Sequence, residues 1–538
     1  MFSGHARPPR VTLDRFWSAG LRAWPVALSA GLGALALYVA TLSPFVDTND
    51  PAEFQTLAAS GGIAHAGYPA YVMLLELAGS VPVRTLAWRA NLLTACFGAV
   101  AVALLAYTAY RWTGRRAAAL GSAAVFATAI TTWNESTLAG VHAPTLAVDG
   151  ALLLLAMRYA WRPGLTLAFA AGLLFGLGVT GHLTVLALGP VLLLGFVLGA
   201  RHASHPRRDA SMALLAFMIG LLPFTYTIAV DRPEQPMNYV HDTLEPGETP
   251  FAVARPDLGQ RVQRLVWLVS GEQYIGHDRR TPAVLAHRAA HVVSVLLLND
   301  LPFVATLFAV AGFVLLLAGA GLARAFVLAW FVPALVLAGI GGTERTLHYF
   351  FQPCTWLLCV GLAVAFARLA ERNARAGLVA IALVLAMPVL RHSLADPPGV
   401  LARSGMWKRI WSFSPREWSP FRSDLRYDAY GRGVMARLHA DAVVLGGSWD
   451  ECETLRYFVY GEPLRPDVSV LLTGLRAPRF RRMWAEAEAA GRPVYMTRQP
   501  EPAALEGGHA ELVWDSGWRQ LWRVERAAIP STAAAGGR

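Results

Sequence analysis

Three carboxylates stand at intervals of three residues just after the first strongly apolar segment: Asp47, Asp50 and Glu53. His65 and Tyr68 follow in the same stretch. A carboxylate can take the proton of a hydroxyl group, and such a general base accelerates a reaction by about 10²–10⁴-fold. Positive groups nearby can stabilise a departing phosphate. These residue types together suit the transfer of a group from a lipid phosphate to a hydroxyl.

Two arginines, Arg84 and Arg89, lie in the same stretch and could supply the positive groups that stabilise a departing phosphate. Ionisable groups at membrane depth cost about 3 kcal/mol each and are usually functional. A long arginine side chain can also act as a snorkelling anchor at the membrane surface. The sequence leaves both interpretations of these two arginines open.

The same carboxylates also fit the start of a helix. Asp50 is a favoured N-cap residue, Pro51 suits the first helical position, and Glu53 would complete a capping box. A capping carboxylate keeps lone pairs for other contacts, so a cap and a catalytic role are compatible. We therefore expect a helix that begins at Asp50.

Composition identifies the class of protein. Of 538 residues, 55% are apolar and only 15% are charged, whereas an ordinary soluble protein carries about 25% charged residues. The mean hydropathy is +0.41, which predicts a polytopic membrane protein. The net charge of +11 comes from scattered arginines, with Lys408 the only lysine, so nucleic-acid binding is not indicated. The four cysteines form no CxxC or Cys/His metal spacing.

Eleven apolar stretches are long enough to be predicted as membrane spans. The short connections on one side are rich in arginine, as the positive-inside rule expects of the cytoplasm. The N-terminus is therefore predicted to be cytoplasmic and the C-terminus extracytoplasmic, with an uncleaved first helix. The predicted spans are residues 24–42, 88–110, 116–133, 143–160, 164–180, 183–200, 211–230, 300–322, 325–342, 346–368 and 376–391.

Outside these spans, residues 68–82 suit a helix along the outer interface, and 231–290 should be partly folded. After residue 391, strands near 441–446, 468–472 and 494–497 alternate with helices at 449–461 and 478–490, which predicts a small α/β domain with a mainly parallel sheet. The predicted organisation is a cytoplasmic N-terminus (1–23), a transmembrane domain (24–391) with external loops 43–87 and 231–299, an extracytoplasmic α/β domain (392–528) and a disordered tail (529–538).

Several ordered motifs resemble bacterial membrane proteins related to protein O-mannosyltransferases, in the GT-C glycosyltransferase superfamily. Further segments that resemble the family are Trp133 to Val141, Gly176 to His182, and parts of 442–468. The chain departs from the pattern at Ala52 and in the shortened His65 segment. It also has Gly140 and His142 where the family has Glu and Tyr, with Glu135 as a carboxylate one turn away. The motifs that support the resemblance best are Leu42-Ser43-Pro44, Asp50-Pro51-Ala52-Glu53-Phe54, His65-Ala66-Gly67-Tyr68-Pro69-Ala70-Tyr71 and Arg89-Ala90-Asn91-Leu92-Leu93-Thr94-Ala95.

The resemblance implies a GT-C-like helical membrane fold and a glycosyltransferase of the bacterial inner membrane. The donor would be a sugar on a polyprenyl phosphate, and the acceptor a hydroxyl outside the cytoplasm. Asp50 would be the general base, and Glu53 would assist it. The implied substrate-binding residues are His65, Tyr68, Arg84, Arg89, Asn91, His182, Arg345 and His348, of which Arg84, Arg89, Arg345 and His348 are candidates for the lipid phosphate.

Other interpretations stay open at this point. Arg345 and His348 could flank a span, and His182 could end a helix. The chain could be a lipid or solute transporter, or a scaffold or sensor whose outer domain binds a partner. An enzyme should expose Asp50 to an outward-facing cavity, whereas a scaffold should cap and enclose it. The sugar, the acceptor (protein, lipid or glycan) and any divalent metal are undecided.

Overall fold

Long helices form most of the computed structural model. It describes residues 16–17, 22–244, 247–274, 281–284, 286, 301, 303–319, 321–341, 347–393, 425–473, 477–501, 505 and 508–526. The helices before the C-terminal domain are α1 (Ala23–Thr41), α2 (Asn49–Ser60), α3 (Pro69–Gly79), α4 (Leu86–Thr113), α5 (Arg116–Ala127), α6 (Ile130–Thr137), α7 (His142–Trp161), α8 (Leu165–Gly181), α9 (Gly189–Ala200), α10 (Pro206–Gly220), α11 (Pro223–Val230), α12 (Tyr239–Thr243), α13 (Leu258–Ser270), α14 (Phe303–Gly319), α15 (Gly321–Gly341), α16 (Leu347–Phe350), α17 (Gln352–Arg372) and α18 (Ala374–Ser393).

In the described part of the chain, six helical stretches are long and apolar enough to cross a membrane. Shorter apolar helices, among them α5, α8 and α18, coincide with other predicted spans. The chain is an integral membrane protein, and the number of eleven spans stays a prediction. The six stretches are Ala23–Thr41, Leu86–Thr113, His142–Trp161, Leu183–Ala200, Pro206–Val230 and Gln352–Arg372.

One predicted span is not a single continuous helix. The span at 116–133 is interrupted at Thr128 and Ala129, where α5 ends and the separate helix α6 begins. The Thr128 hydroxyl donates to the Ala124 carbonyl at 2.8 Å, a local bond of the kind that competes with the helical ladder. The β-branched residues that follow, such as Ile130, also have low helix propensity.

Small residues allow the membrane helices to pack closely. At Gly312 of α14, a Cβ atom would lie 1.9 Å from the Gly361 carbonyl oxygen of α17. At Gly176 of α8, it would lie 2.3 Å from the Phe217 carbonyl oxygen of α10. Such contacts are typical of helix pairs in membranes, where close backbone approach supplies the packing energy.

Two loops fold over one end of the bundle. The first contains α2 and α3, the latter close to the helix predicted at 68–82. The second contains α12 and α13, so its described part is folded as predicted. A buried ion pair between Arg264 and Asp231, with an N–O distance of 2.9 Å, joins α13 to the start of this loop.

The C-terminal domain is an α/β unit with a mixed sheet. Its helices are α19 (Arg426–Met435), α20 (Trp449–Arg456), which continues into a π-helical turn (Tyr457–Gly461), and α21 (Ala477–Ala489). The strands are β1 (Val443–Gly446), β2 (Ser469–Leu472), β3 (Val494–Met496), β4 (His509–Asp515) and β5 (Gln520–Glu525).

The strand order is β2-β1-β3-β5-β4. Strand β1 is parallel to β2 and β3, as predicted, but β5 is antiparallel to β3 and β4. The prediction of a mainly parallel sheet missed this terminal hairpin. The predicted tail at 529–538 lies outside the described residues, as does most of the N-terminal segment 1–23.

The C-terminal domain contacts the first outer loop directly. The Thr454 hydroxyl donates to the Asp47 carbonyl oxygen at 3.1 Å, and the Thr48 hydroxyl donates to the Asp450 carbonyl oxygen at 3.1 Å. The Ala87 amide, at the start of α4, donates to the Tyr457 hydroxyl at 3.2 Å. Side chains of α20 therefore lie against the segment that contains Asp50.

Candidate active site

The predicted capping box is wrong. Helix α2 begins at Asn49 with Thr48 as its N-cap residue, and no side chain caps it. Asp50 therefore lies inside the first turn, where a negative charge is favoured by the helix dipole. Its side chain is 54% exposed. The carboxylate that a scaffold would enclose is open in this structure.

Glu53 turns away from the helix start because it binds His65. One Glu53 oxygen accepts a hydrogen bond from the His65 backbone amide at 2.8 Å, and the other contacts the His65 Nδ1 atom closely. The His65 Nε2 atom lies 3.4 Å from an oxygen of Asp50. We call Asp50, Glu53 and His65 the outer cluster.

The outer cluster favours a charged imidazolium. Burial alone lowers the pKa of His65, but the charges of Asp50 and Glu53 and the hydrogen bond to Glu53 outweigh it and raise the pKa to about 10. At neutral pH one cation thus stands between a buried carboxylate and an exposed one. Glu53 contacts one nitrogen of the ring, and the other ring nitrogen faces an oxygen of Asp50, whose side chain is half-exposed.

A series of aromatic rings leads from the outer cluster into the membrane domain. Tyr68 lies edge-on to His65, with ring centroids 5.3 Å apart, and stacks on His182 at 5.3 Å with a 9° interplanar angle. His182 contacts His142 at 5.3 Å, and His142 stacks on Tyr349 at 5.1 Å. We call these five residues the ring ladder. The structure thus brings together the predicted residues His65, Tyr68 and His182.

Tyr68 has an unusual backbone conformation. Tyr68 has φ of +52° in the left-handed region, which is uncommon for a non-glycine residue. Pro69 follows at the first turn of α3, where its fixed φ suits a helix start.

Burial, and then the charge of His65, lower the pKa of His182 to about 4, so the His182 ring is neutral. Its Nδ1 atom lies 2.6 Å from the Thr184 hydroxyl.

Three other predicted residues differ in what they contact. Arg89 donates to the carbonyl oxygens of Gly79, the last residue of α3, and of Val81. Asn91 is fully buried, donates to the Ser43 carbonyl at 2.9 Å, and accepts hydrogen bonds from two further groups. Arg84 is exposed, with its guanidinium 4.9 Å from the Trp88 ring centroid. Binding of substrate by these residues stays a prediction.

Of the remaining two predicted residues, only His348 belongs to a described helix. Arg345 lies outside the described residues, and His348 belongs to α16 but its side chain is not described. The neighbouring residues Tyr349 and Phe350 are described, and their rings contact His142. Helix α16 thus reaches the inner end of the ring ladder.

The C-terminal domain adds residues that the sequence did not indicate as part of the site. Glu453 of α20 is fully buried and pairs with Arg456 at 3.0 Å, and Arg456 also pairs with Asp242 at 2.8 Å. Burial, with a smaller contribution from the charge of Glu53, raises the pKa of Glu453 to about 8 against the effect of Arg456. The Trp449 ring lies 6.1 Å from that of His65. The electrostatic environment of the outer cluster therefore includes α20.

A small cavity opens at the inner end of the ring ladder. Asp50 does not line it, and an outward-facing cavity around Asp50 stays a prediction. Among the described residues, no group of three or more His, Cys, Asp or Glu is arranged to bind a metal ion. The cavity is lined by His142, Thr145, Leu146, Asp149, Thr184, Ala187, Trp330, Ala334, Leu337, Tyr349, Phe350, Gln352 and Pro353.

Sequence comparison relates the first part of the chain to a known domain. Residues 50–205 match the family model described as the protein O-mannosyl-transferase TMEM260 N-terminal domain. The mouse (Mus musculus) protein named "Protein O-mannosyl-transferase TMEM260" is 31% identical over 219 residues, which are 39% of this chain and 31% of the mouse protein. The chain thus matches less than a third of the length of that curated relative.

Structural comparison extends over nearly the whole chain. The crystal structure of ArnT from Cupriavidus metallidurans bound to undecaprenyl phosphate has a TM-score of 0.58 at 14% identity and covers 96% of this chain and 100% of ArnT. The apo form of the same protein gives a TM-score of 0.57 at 13% identity and covers 92% and 97% of the two chains. At this identity the likeness shows the fold alone.

Proposed function

Because the chain has the fold of the GT-C glycosyltransferases and its residues 50–205 match the N-terminal domain of a protein O-mannosyltransferase family, we propose that it is a membrane glycosyltransferase. It transfers a sugar from a polyprenyl-phosphate donor to a hydroxyl group outside the cytoplasm. The N-terminus is cytoplasmic, the C-terminal domain is extracytoplasmic, and the membrane is the inner membrane of a bacterium.

The exposed carboxylate of Asp50, oriented by the His65–Glu53 pair, is the observation that supports this function most directly. The acceptor O–H bond breaks as its proton passes to Asp50, and the acceptor oxygen bonds to the anomeric carbon of the sugar. The bond between that carbon and the phosphate oxygen breaks, and its electron pair leaves with the phosphate. Glu53 positions His65, and His65 positions Asp50.

Two relatives support this donor class. The curated relative is named a mannosyltransferase, and ArnT was crystallised with undecaprenyl phosphate. Arg84 is the exposed candidate for the lipid phosphate, whereas the Arg89 guanidinium already donates to two carbonyl oxygens. Arg345 and His348 are the other candidates.

A donor assay tests the proposal. Purified protein is incubated with a bacterial lipid extract, and mass spectrometry identifies the polyprenyl-phosphate sugar that is consumed. Asp50→Asn should lower the transfer rate by about 10²–10⁴-fold, because the amide cannot take the acceptor proton. Glu371→Gln, which removes an exposed carboxylate on α17, is the matched control and should keep the wild-type rate. Full activity of Asp50→Asn would show that Asp50 is not the base.

A further inference from the structure

Two aromatic rings from distant parts of the chain meet at His65. Trp449 is the first residue of α20 in the C-terminal domain, and its ring centroid lies 6.1 Å from that of His65. Tyr239 is the first residue of α12 in the second outer loop, and its ring centroid lies 6.4 Å from that of His65. The two rings are also edge-to-face with each other, with centroids 5.5 Å apart. We call Tyr239 and Trp449 the ring pair.

The fold holds both members of the ring pair in place. Asp450, next to Trp449, forms an ion pair with Arg519 at 2.6 Å. The Tyr239 amide donates to the Ile63 carbonyl oxygen at 3.0 Å, which joins the second outer loop to the first. Because these contacts involve no ligand, the ring pair is positioned before a ligand binds, and such preorganisation lowers the entropy cost of binding.

Part of the ring pair is open to solvent, since both side chains are only half-buried. In the described part of the chain the Trp449 indole nitrogen makes no hydrogen bond, and unlike the nitrogen of Trp330 it is not enclosed. In Trp356, by contrast, this nitrogen donates to the Ala101 carbonyl oxygen at 3.1 Å. An accessible indole N–H and the exposed carboxylate of Asp50 therefore supply a donor and an acceptor on two sides of His65.

These groups suit the ring of a neutral sugar. A pyranose has an apolar C–H face, which packs against the electron-rich face of an aromatic ring, and hydroxyl groups that bind an indole N–H or a carboxylate. The outer cluster has two carboxylates and one imidazolium, so its net negative charge disfavours a phosphate at this place. His65 contacts both the ring pair and Asp50, whose carboxylate lies 3.4 Å from the His65 Nε2 atom. A sugar on the ring pair thus lies beside the proposed base.

We propose that Tyr239 and Trp449 bind the sugar ring of a substrate beside Asp50, so that the C-terminal domain takes part in substrate recognition. The C–H face of the sugar packs against the ring pair, and a sugar hydroxyl accepts a hydrogen bond from the Trp449 indole N–H. The sugar belongs to the lipid-linked donor or to a glycan acceptor, because both have to reach Asp50. This inference rests on the proposed function, since it assumes that a sugar is transferred.

Matched variants of the full chain test the ring pair. Trp449→Leu and Tyr239→Leu each remove one aromatic face, whereas Trp449→Phe keeps the face and removes the indole N–H. Trp522→Leu is the control, because Trp522 is also a half-buried tryptophan of the C-terminal domain, but its indole N–H donates to Gln520 at 3.0 Å and its ring packs on a different hydrophobic cluster. Thermal unfolding in detergent identifies the folded variants. If Trp449→Leu does not fold, Tyr239→Leu and Trp449→Phe carry the test.

Binding is measured in the Asp50→Asn background and without acceptor, so that the donor is not consumed. The probes are the polyprenyl-phosphate sugar identified by the donor assay and the same polyprenyl phosphate without its sugar. Trp449→Leu and Tyr239→Leu should each raise the Kd for the lipid-linked sugar by about tenfold, the usual cost of one lost aromatic contact. Trp449→Phe should raise it by about threefold, since one neutral hydrogen bond is lost. The Kd for the lipid without a sugar should stay within about twofold of the control value.

The substrate that responds identifies the bound ring. A raised Kd for the donor assigns the ring to the donor's sugar. An unchanged donor Kd with a raised KM for a glycan acceptor, measured with Asp50 intact, assigns it to the acceptor's sugar. If neither value changes, or if only a peptide acceptor shows a raised KM, the ring pair is not a sugar site, although the transferase assignment stands.

Failure of the proposed function is distinguishable from failure of this inference. If the wild type transfers no sugar, the proposed function fails, and saturation-transfer NMR with methyl α-mannopyranoside still tests the ring pair. Binding that is lost in Trp449→Leu and retained in Trp522→Leu supports the inference. Binding that is equal in both variants, or absent from the wild type, overturns it.

Discussion

Glu53 of the outer cluster and Asp149 of the cavity are both buried acidic side chains, but they differ in their hydrogen bonding. Glu53 is 1% exposed and Asp149 is 2% exposed, so the two are equally removed from water. Glu53 contacts both the backbone amide and the ring of His65, whereas the Oδ1 atom of Asp149 has no partner in the described part of the chain. Burial is therefore not what distinguishes them. Both oxygens of Glu53 have partners within the protein, whereas one oxygen of Asp149 has none among the described residues.

The largest expected effect comes from separating His65 from Glu53, its closest carboxylate. Glu53→Ala should lower the free energy of unfolding by about 3–5 kcal/mol, because it leaves the partly buried His65 cation without its closest carboxylate. Chemical denaturation in detergent, followed by tryptophan fluorescence, measures the change. Asp149→Ala should show no comparable loss. Similar losses in both variants would show that the two carboxylates do not differ in the way described.

The second effect is a pH dependence that belongs to the outer cluster. The pKa of His65 rises from 6.5 to about 10 on folding, so its stabilising contribution is fully present below pH 6.5 and is lost as the pH rises through 10. The groups facing His65 are Asp50, Glu53 and, from α20, Glu453.

Comparison of the wild type with His65→Gln isolates this contribution from that of Glu453. The difference in unfolding free energy between the two proteins should shrink steadily between pH 7 and pH 10. Denaturation curves at half-unit pH intervals measure it. A difference that does not change over this range would mean that His65 is neutral in the folded protein.

The smallest expected effect distinguishes the roles of Arg84 and Arg89. Arg89→Gln should lower the free energy of unfolding by about 1 kcal/mol, because it removes hydrogen bonds to the carbonyl oxygens of Gly79 and Val81. Arg84→Gln should leave stability within about 0.5 kcal/mol, since the side chain is exposed, but should weaken binding of undecaprenyl phosphate. The opposite pattern would assign the phosphate to Arg89.

Much of this arrangement could be predicted from local patterns. Apolar runs indicated the membrane helices, because span length and hydropathy are local properties. The segment from Asp50 to Tyr68 could be chosen for chemistry, since costly ionisable residues are clustered beside apolar helices. The N-cap of α2 was misplaced by two residues, and Glu53, which the pattern assigned to a capping box, binds the distant His65 instead.

Long-range contacts could not be predicted. Nothing in the sequence near Glu453 or Asp242 indicates that both meet Arg456 beside the outer cluster. Asp149 stands in an otherwise apolar run, which is a signal for a functional intramembrane residue that the span assignment passed over. The terminal hairpin of β4 and β5 was missed because its residues show little burial alternation, with β4 largely exposed.

The contact between the C-terminal domain and the first outer loop has a consequence for biosynthesis. Thr454 and Asp47 are 407 positions apart in the chain, and Trp449 and Glu453 lie on the same late helix. A ribosome has therefore delivered every apolar helix described here to the membrane before it makes the residues that finish the surroundings of His65. Nascent or prematurely terminated chains have an open outer cluster, and only chains elongated past α20 acquire its complete environment.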